Sequence, residues 1–290
     1  MALIDTELPA LCRELGIPGF ADVHVHFMPE RVLAKVWAYF DALDVLEWPI
    51  EYRLDETERL ERLGELGVIR HTALLYPHKP AMAAWLNEWG LSFAKDAPNC
   101  VPTGTFFPEP GAAEYVRVAL ESGVRAFKAH VQVGAYDPRD PLLDEVWGRL
   151  ADAGVPVVCH CGSGPMPGRF TGPGPIGEVL ARHPSLTLVV AHLGQPEYAE
   201  FLALAEAYPN VHLDTTMTFT DFVERIAPFP AALRPRLRDL AHRVVLGSDF
   251  PNIPYPYAHQ VESLIRLDLG DDWLRAVLHD NGLRLLSPAS

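Results

Sequence analysis

Residues 20–26 read Phe-Ala-Asp-Val-His-Val-His, a short apolar run that ends in two histidines two positions apart. Its length and β-branched content are those of a strand. In an open, doubly wound α/β sheet that binds a nucleotide, a glycine-rich turn follows the first strand and lets the backbone approach a phosphate. Here His-Val-His stands in that place, which argues against the open sheet and for a closed one.

Working outward, strand-like and helix-like segments alternate about eight times. The strand candidates are Phe20 to His26, Val68 to Tyr76, Val101 to Phe107, Val124 to His130, Pro156 to His160, Leu186 to His192, Val211 to Thr215 and Val244 to Asp249. Amphipathic stretches lie between them: Glu56 to Leu66, Ala81 to Ala94, Ala113 to Ser122, Leu142 to Ala153, Ile176 to Arg182 and Tyr198 to Ala207. Several of these stop at Gly67, Gly123, Gly154 or Asn210, the residue types that end helices. About eight such units predict a (β/α)8 barrel in one domain, a size that 290 residues suit.

Three segments after strand ends are long or irregular and should rise on the catalytic face of the barrel. Phe27 to Leu54 carries Trp37, Tyr39, Phe40, Trp48 and Tyr52, enough aromatic material to wall a pocket. Gly162 to Pro175 is rich in glycine and proline and reads as an irregular loop, as does Pro-Asn-Ile-Pro-Tyr-Pro-Tyr at 251–257.

The remaining composition narrows the function. With 49% hydrophobic and 21% charged residues the chain has the balance of a globular protein. A formal charge of −14 and no Lys/Arg run weigh against nucleic acid as a partner. No window is apolar enough to span a bilayer and the first residues do not read as a secretory signal, so no membrane partner and a cytoplasmic location are expected. Cys12, Cys100, Cys159 and Cys161 do not suggest a disulfide framework. Cys159 and Cys161 flank His160, but alternation along a strand turns both thiols away from that imidazole. A homo-oligomer built on the outer helices is expected without any stripe that marks its interface.

Four strand candidates end in His or Asp directly after an apolar run: ADVHVH, VVCH, LVVAH and VVLGSD. One histidine at a strand end is most often a satisfied structural group. Four such ends on one barrel rim converge on its axis, where neutral imidazoles and a carboxylate form a ligand set for a divalent transition metal. His24 and His26 share a side and can grip one ion, His160 and Asp249 can complete the coordination, and His192 is near enough to bind the ion or steer a water.

These motifs, Asp-Val-His-Val-His at 22–26, Val-Cys-His-Cys-Gly at 158–162, Val-Val-Ala-His-Leu-Gly at 189–194 and Leu-Gly-Ser-Asp-Phe-Pro at 246–251, resemble the amidohydrolase-related branch of the amidohydrolase superfamily. That branch includes aminocarboxymuconate-semialdehyde decarboxylase, resorcylate decarboxylases and several lactonases, and the resemblance runs from about Phe20 to Leu286. It implies that His24, His26, His160 and Asp249 hold one divalent ion, zinc first and manganese second, with Asp249 and His192 handling the proton of the reacting group. The ion would lower the pKa of a water to about 7 for attack on an ester, lactone or amide carbonyl. The alternative is removal of CO2 from an unsaturated or aromatic acid by the same residues. Lys128 either bridges a second metal, as a carboxylated lysine does elsewhere in the superfamily, or pairs with Asp249 or a substrate carboxylate; the second reading is favoured because the branch resembled holds one metal. His130 shares its face as a substrate contact, and Arg169 is a guanidinium for an anionic substrate, which is expected to be a small molecule that can carry a carboxylate.

Overall fold

The computed structural model describes residues 2–43 and 47–287. Its strands are β1 (Phe20–Asp22), β2 (Val68–Thr72), β3 (Cys100–Val101), β4 (Thr103–Thr105), β5 (Ala126–His130), β6 (Val157–His160), β7 (Leu188–Val190), β8 (Val211–Asp214) and β9 (Val244–Val245). All pairings are parallel, β1-β2-β3 in one ladder and β4 through β9 in sequence order in another. β3 and β4 are one course of chain interrupted at Pro102, whose ring nitrogen has no proton to donate to a ladder. On the other side, Val23 N–H donates to Leu246 O at 2.9 Å and Asp249 N–H to His24 O at 2.8 Å, so backbone hydrogen bonds carry the end of the last strand onto the first.

Alternation sorts the side chains into two layers. Val23, Leu74, Val101, Ala126, Val158, Val189 and Val245 meet inside the ring of strands, with Leu286 against them. Their strand neighbours, such as Phe127, Val157 and Cys159, face outward into the larger core shared with the helices. Cys159 and Cys161 therefore lie in the outer layer, opposite the inward face that His160 shares with Val158.

The helices begin and stop where local chemistry requires. Asp55 forms a reciprocal capping box with Glu58 and starts Glu56–Glu65. Pro141–Ala153 begins with a proline at its first position, capped by Asp140, and ends at Gly154 with φ +61°, a conformation that costs other residues a Cβ clash.

Several boundaries differ from the sequence expectation. β1, β7 and β9 stop well short of His26, His192 and Asp249, because the chain leaves the ladder to turn its polar residues inward: His192 has φ +55° in the turn Ala191–Gly194 and Asp249 has φ +72°. The first long segment is not all loop, since Glu30–Asp41 is a helix that packs Leu33 against Leu75, Met82 and Leu86. The glycine- and proline-rich stretch yields to helix at Pro173, and the stretch after Asp249 yields to helix at Tyr257.

Candidate metal centre

Three of the expected ligands converge. One ligand atom each from His24, His26 and Asp249 lies within 4.8 Å of the others, all three residues being buried. Asp249 Oδ1 is 2.9 Å from His26 Nε2 and 3.6 Å from His24 Nε2. Ligands about 2.1 Å from a common ion stand roughly 3 to 3.5 Å apart, so these spacings suit one small cation.

What each imidazole presents is decided by the partner behind it. His24 Nδ1 donates to Asp214 Oδ2 at 2.8 Å and His26 Nδ1 to the Leu74 carbonyl at 3.0 Å. Both partners are acceptors, so in the neutral ring the proton sits on Nδ1 and the Nε2 lone pair points at Asp249. His192 follows the same rule, its Nδ1 donating to Thr216 O at 3.2 Å while its backbone N–H donates to Asp214 Oδ1 at 2.8 Å. His160 is turned the other way: Nε2 donates to Gly164 O at 3.0 Å, which leaves the Nδ1 lone pair free. It lies outside the three-residue group, its ring 4.8 Å from that of His192 and stacked at 4.2 Å on His130. His130 Nδ1 accepts from Val133 N–H at 3.3 Å, so its neutral ring offers an Nε2–H donor.

Burial favours the neutral form of His24, His160 and His192. It pushes His24 down to about 4, helped by the Lys128 charge, and it pushes His192 to about 4 and His160 to about 3. Asp249 goes the opposite way: burial raises its pKa, but the His26, His24 and His192 side chains around it override burial and hold it well below the ordinary carboxylate range. Asp214 is likewise held down by His24 and His192 against the effect of burial.

Lys128 is fully buried, with Nζ 3.1 Å from His24 Nε2 and the Asp214 and Asp249 charges nearby. Its side-chain contact is with His24, and no ion pair within 4.0 Å joins it to Asp249 among the described residues. Arg169 is exposed over the Phe170 ring at 5.0 Å, beside Asp137, and no contact brings it to the histidine cluster.

Three residues that sequence reasoning passed over shape this centre. Asp214 braces both His24 and the His192 turn, and VHLD at 211–214 is the same apolar run ending in an acid that drew attention to the other strands. Asp22 accepts from His24 N–H, Ser248 N–H and Tyr257 O–H, tying the first strand to the turn before Asp249; burial pushes its pKa up to about 6. Tyr76 stands half-buried with its ring 5.7 Å from His26 and 4.8 Å from His130.

The family model described as "Amidohydrolase" matches residues 21–287. No curated protein matches the chain in sequence. Among solved structures, an uncharacterised TIM-barrel protein from Bordetella bronchiseptica superposes with a TM-score of 0.72 at 21% identity, over 91% of this chain and 98% of that one. A probable 2-pyrone-4,6-dicarboxylic acid hydrolase from Acinetobacter baumannii gives 0.64 at 13% identity, over 92% and 99%. The 5-carboxyvanillate decarboxylase LigW from Sphingomonas paucimobilis gives 0.60 at 15%, over 92% and 98%. At those identities the structures speak for the TIM-barrel fold. With the fold shared along nearly the whole chain and the family model spanning every residue of the cluster, this chain is an enzyme that belongs to the amidohydrolase family.

Proposed function

We propose that the protein is a divalent-metal-dependent hydrolase of an ester, lactone or amide bond in a small molecule. The observation that carries this reading is the convergence of the His24 and His26 Nε2 lone pairs on the ionised Asp249, each ring held in the required tautomer by an acceptor behind it. Such a set of bare lone pairs and a carboxylate calls for a cation between its members. His160 would join through Nδ1, the nitrogen that Gly164 leaves free. Zinc suits this nitrogen and oxygen set best, with manganese second. When bound, such an ion polarises a carbonyl oxygen and acidifies water at neutral pH.

This chain's own residues would do the rest. His192, neutral at pH 7 with Nε2 unpaired by its backbone partners, accepts a proton from the attacking group, and the Asp249 carboxylate orients it. His130 offers Nε2–H to an oxygen of the substrate, and Tyr76 closes the wall between His26 and His130. Lys128 brings positive charge to the cluster side of His24, where it offsets Asp214 and Asp249, and it would give up its contact with Nε2 if that atom bound an ion. Arg169, exposed on the neighbouring rim segment, is available to a carboxylate carried on the substrate.

A second reading, decarboxylation of an unsaturated or aromatic acid, draws on His130: a ring held as a donor can deliver a proton to the carbon that CO2 leaves. Metal analysis of the purified protein, joined to a screen of lactones, amides and unsaturated acids, separates the two. A carboxylate product without gas supports hydrolysis, and CO2 release selects the lyase. Protein that holds no divalent ion and ignores chelators would sink both.

A further inference from the structure

Asp249 sits in a left-handed backbone conformation, φ +72°, that costs a residue with a Cβ, though aspartate less than most, and its neighbours hold it there. The surroundings are on view. Its N–H donates to His24 O at 2.8 Å, and its carbonyl accepts Asn252 N–H at 2.8 Å. Asn252 is 2% exposed and carries no titratable group, yet two indoles from the first long segment end on it. Trp37 Nε1–H donates to Asn252 Oδ1 at 3.0 Å, and Trp48 Nε1–H donates to Asn252 O at 2.6 Å. One residue further on, Ile253 O accepts Glu51 N–H at 2.9 Å.

Both indoles are themselves held. Trp37 lies on the helix Glu30–Asp41 with the Arg53 and Arg59 guanidinium groups 5.4 and 5.9 Å from its ring. Trp48 stacks on Phe40 at 4.8 Å and meets Phe222 edge-on at 4.9 Å. A buried asparagine has one side-chain oxygen and one backbone oxygen to offer, and here the same remote segment takes both.

We infer that Asn252 is a positioning residue that fixes the Asp249 carboxylate by tying its turn to the first long segment through Trp37 and Trp48. The inference rests on reading His24, His26 and Asp249 as the metal site. Seating of the first segment and cation affinity are then two ends of one coupling, so each must strengthen the other by the same factor. A purely structural asparagine would lower stability when replaced and leave the cation indifferent.

Cobalt(II) alone, titrated into the metal-free full chain well below its unfolding temperature, is the probe. Asn252→Ala should raise the Co2+ dissociation constant by about 10- to 100-fold, as loss of an outer partner of a ligand does, and should shift the visible absorption of the ion. Trp37→Phe keeps the ring and deletes one donor, so roughly a 5-fold weakening is expected, and this variant guards against a poorly folded Asn252→Ala. Asn252→Asp retains the Oδ1 acceptor and should restore the wild-type spectrum. In wild-type protein Co2+ should also slow amide exchange across residues 30–41, and this protection should vanish in Asn252→Ala. Wild-type affinity and absorption in both Asn252→Ala and Trp37→Phe would overturn the inference while leaving the metal site standing. A wild-type chain that binds no Co2+ would overturn both.

Discussion

The Nδ1 atom of His24 lies 2.8 Å from Asp214 Oδ2, and both side chains are sealed from solvent. This hydrogen bond decides which nitrogen of His24 faces the cluster. It also makes Asp214 a control on the proposed metal site without being one of its proposed ligands.

Asp214→Asn removes the charge, and its amide can turn an N–H toward His24 Nδ1 and force the proton to Nε2. Affinity for Zn2+ should fall by about 10- to 100-fold, measured by competition with a chromophoric chelator. Unchanged affinity would mean that the tautomer of His24 is set elsewhere.

Lys128 balances two buried carboxylates from a position with no access to water. Lys128→Ala leaves Asp214 and Asp249 without that charge and opens a cavity, so the metal-free protein should lose about 3 to 5 kcal/mol. Lys128→Met, which keeps most of the volume, isolates the electrostatic share. Urea unfolding in the presence of a chelator provides the comparison, and a loss under about 1 kcal/mol for Lys128→Ala, no more than an exposed ion pair contributes, would refute the balancing role.

Gly247 lets the turn before Asp249 press against the cluster. A Cβ added there would collide with Thr216 Oγ1 and lie 2.9 Å from His24 Cβ and 3.2 Å from Asp214 Cγ. Gly247→Ala should cost about 1 to 3 kcal/mol by overpacking and displace His24. The expected signature is a folded protein by circular dichroism whose metal content after dialysis is sharply reduced, and full metal content would contradict the close approach.

Several histidines are buried in their neutral form. Burial pushes His24, His192 and His212 down to about 4, with Arg243 and Arg284 adding to the effect at His212. In the unfolded chain these rings titrate near 6.5, so between these values the unfolded state binds more protons and stability rises with pH. The metal-free protein should lose stability progressively as pH falls from about 6.5 through about 4, the three rings outweighing Asp22, whose carboxyl, raised by burial to about 6, acts in the opposite sense. Denaturation midpoints across that interval check this, and His212→Asn should flatten the slope. A midpoint that rose on acidification would reverse the sign argued here.

Much of the barrel was legible in the chain because its signals are local. Apolar runs with β-branched residues, amphipathic stretches and stops such as Gly154 report backbone preferences that act within a few residues. Strand ends were less legible: β9 closes after Val245 because the turn to Asp249 competes with the ladder, and that competition is settled by Asn252 and His24, which are distant from one another in sequence. The helix Glu30–Asp41 was hidden in a segment whose aromatic residues read as pocket wall, and Trp37 in fact spends its indole on Asn252.

The residue types of the site follow from the sequence alone, since histidine or aspartate after an apolar run needs no tertiary knowledge to be noticed in ADVHVH or VVLGSD. Only the folded chain decides what each of them offers. An imidazole has two nitrogens, and the one left bare depends on whether the other meets the acceptors Asp214 and Leu74 O, as in His24 and His26, or the donor Val133 N–H, as in His130. Those partners lie up to 190 positions away along the chain, so the direction of the lone pairs, and with it the chemistry, is a property of the tertiary fold.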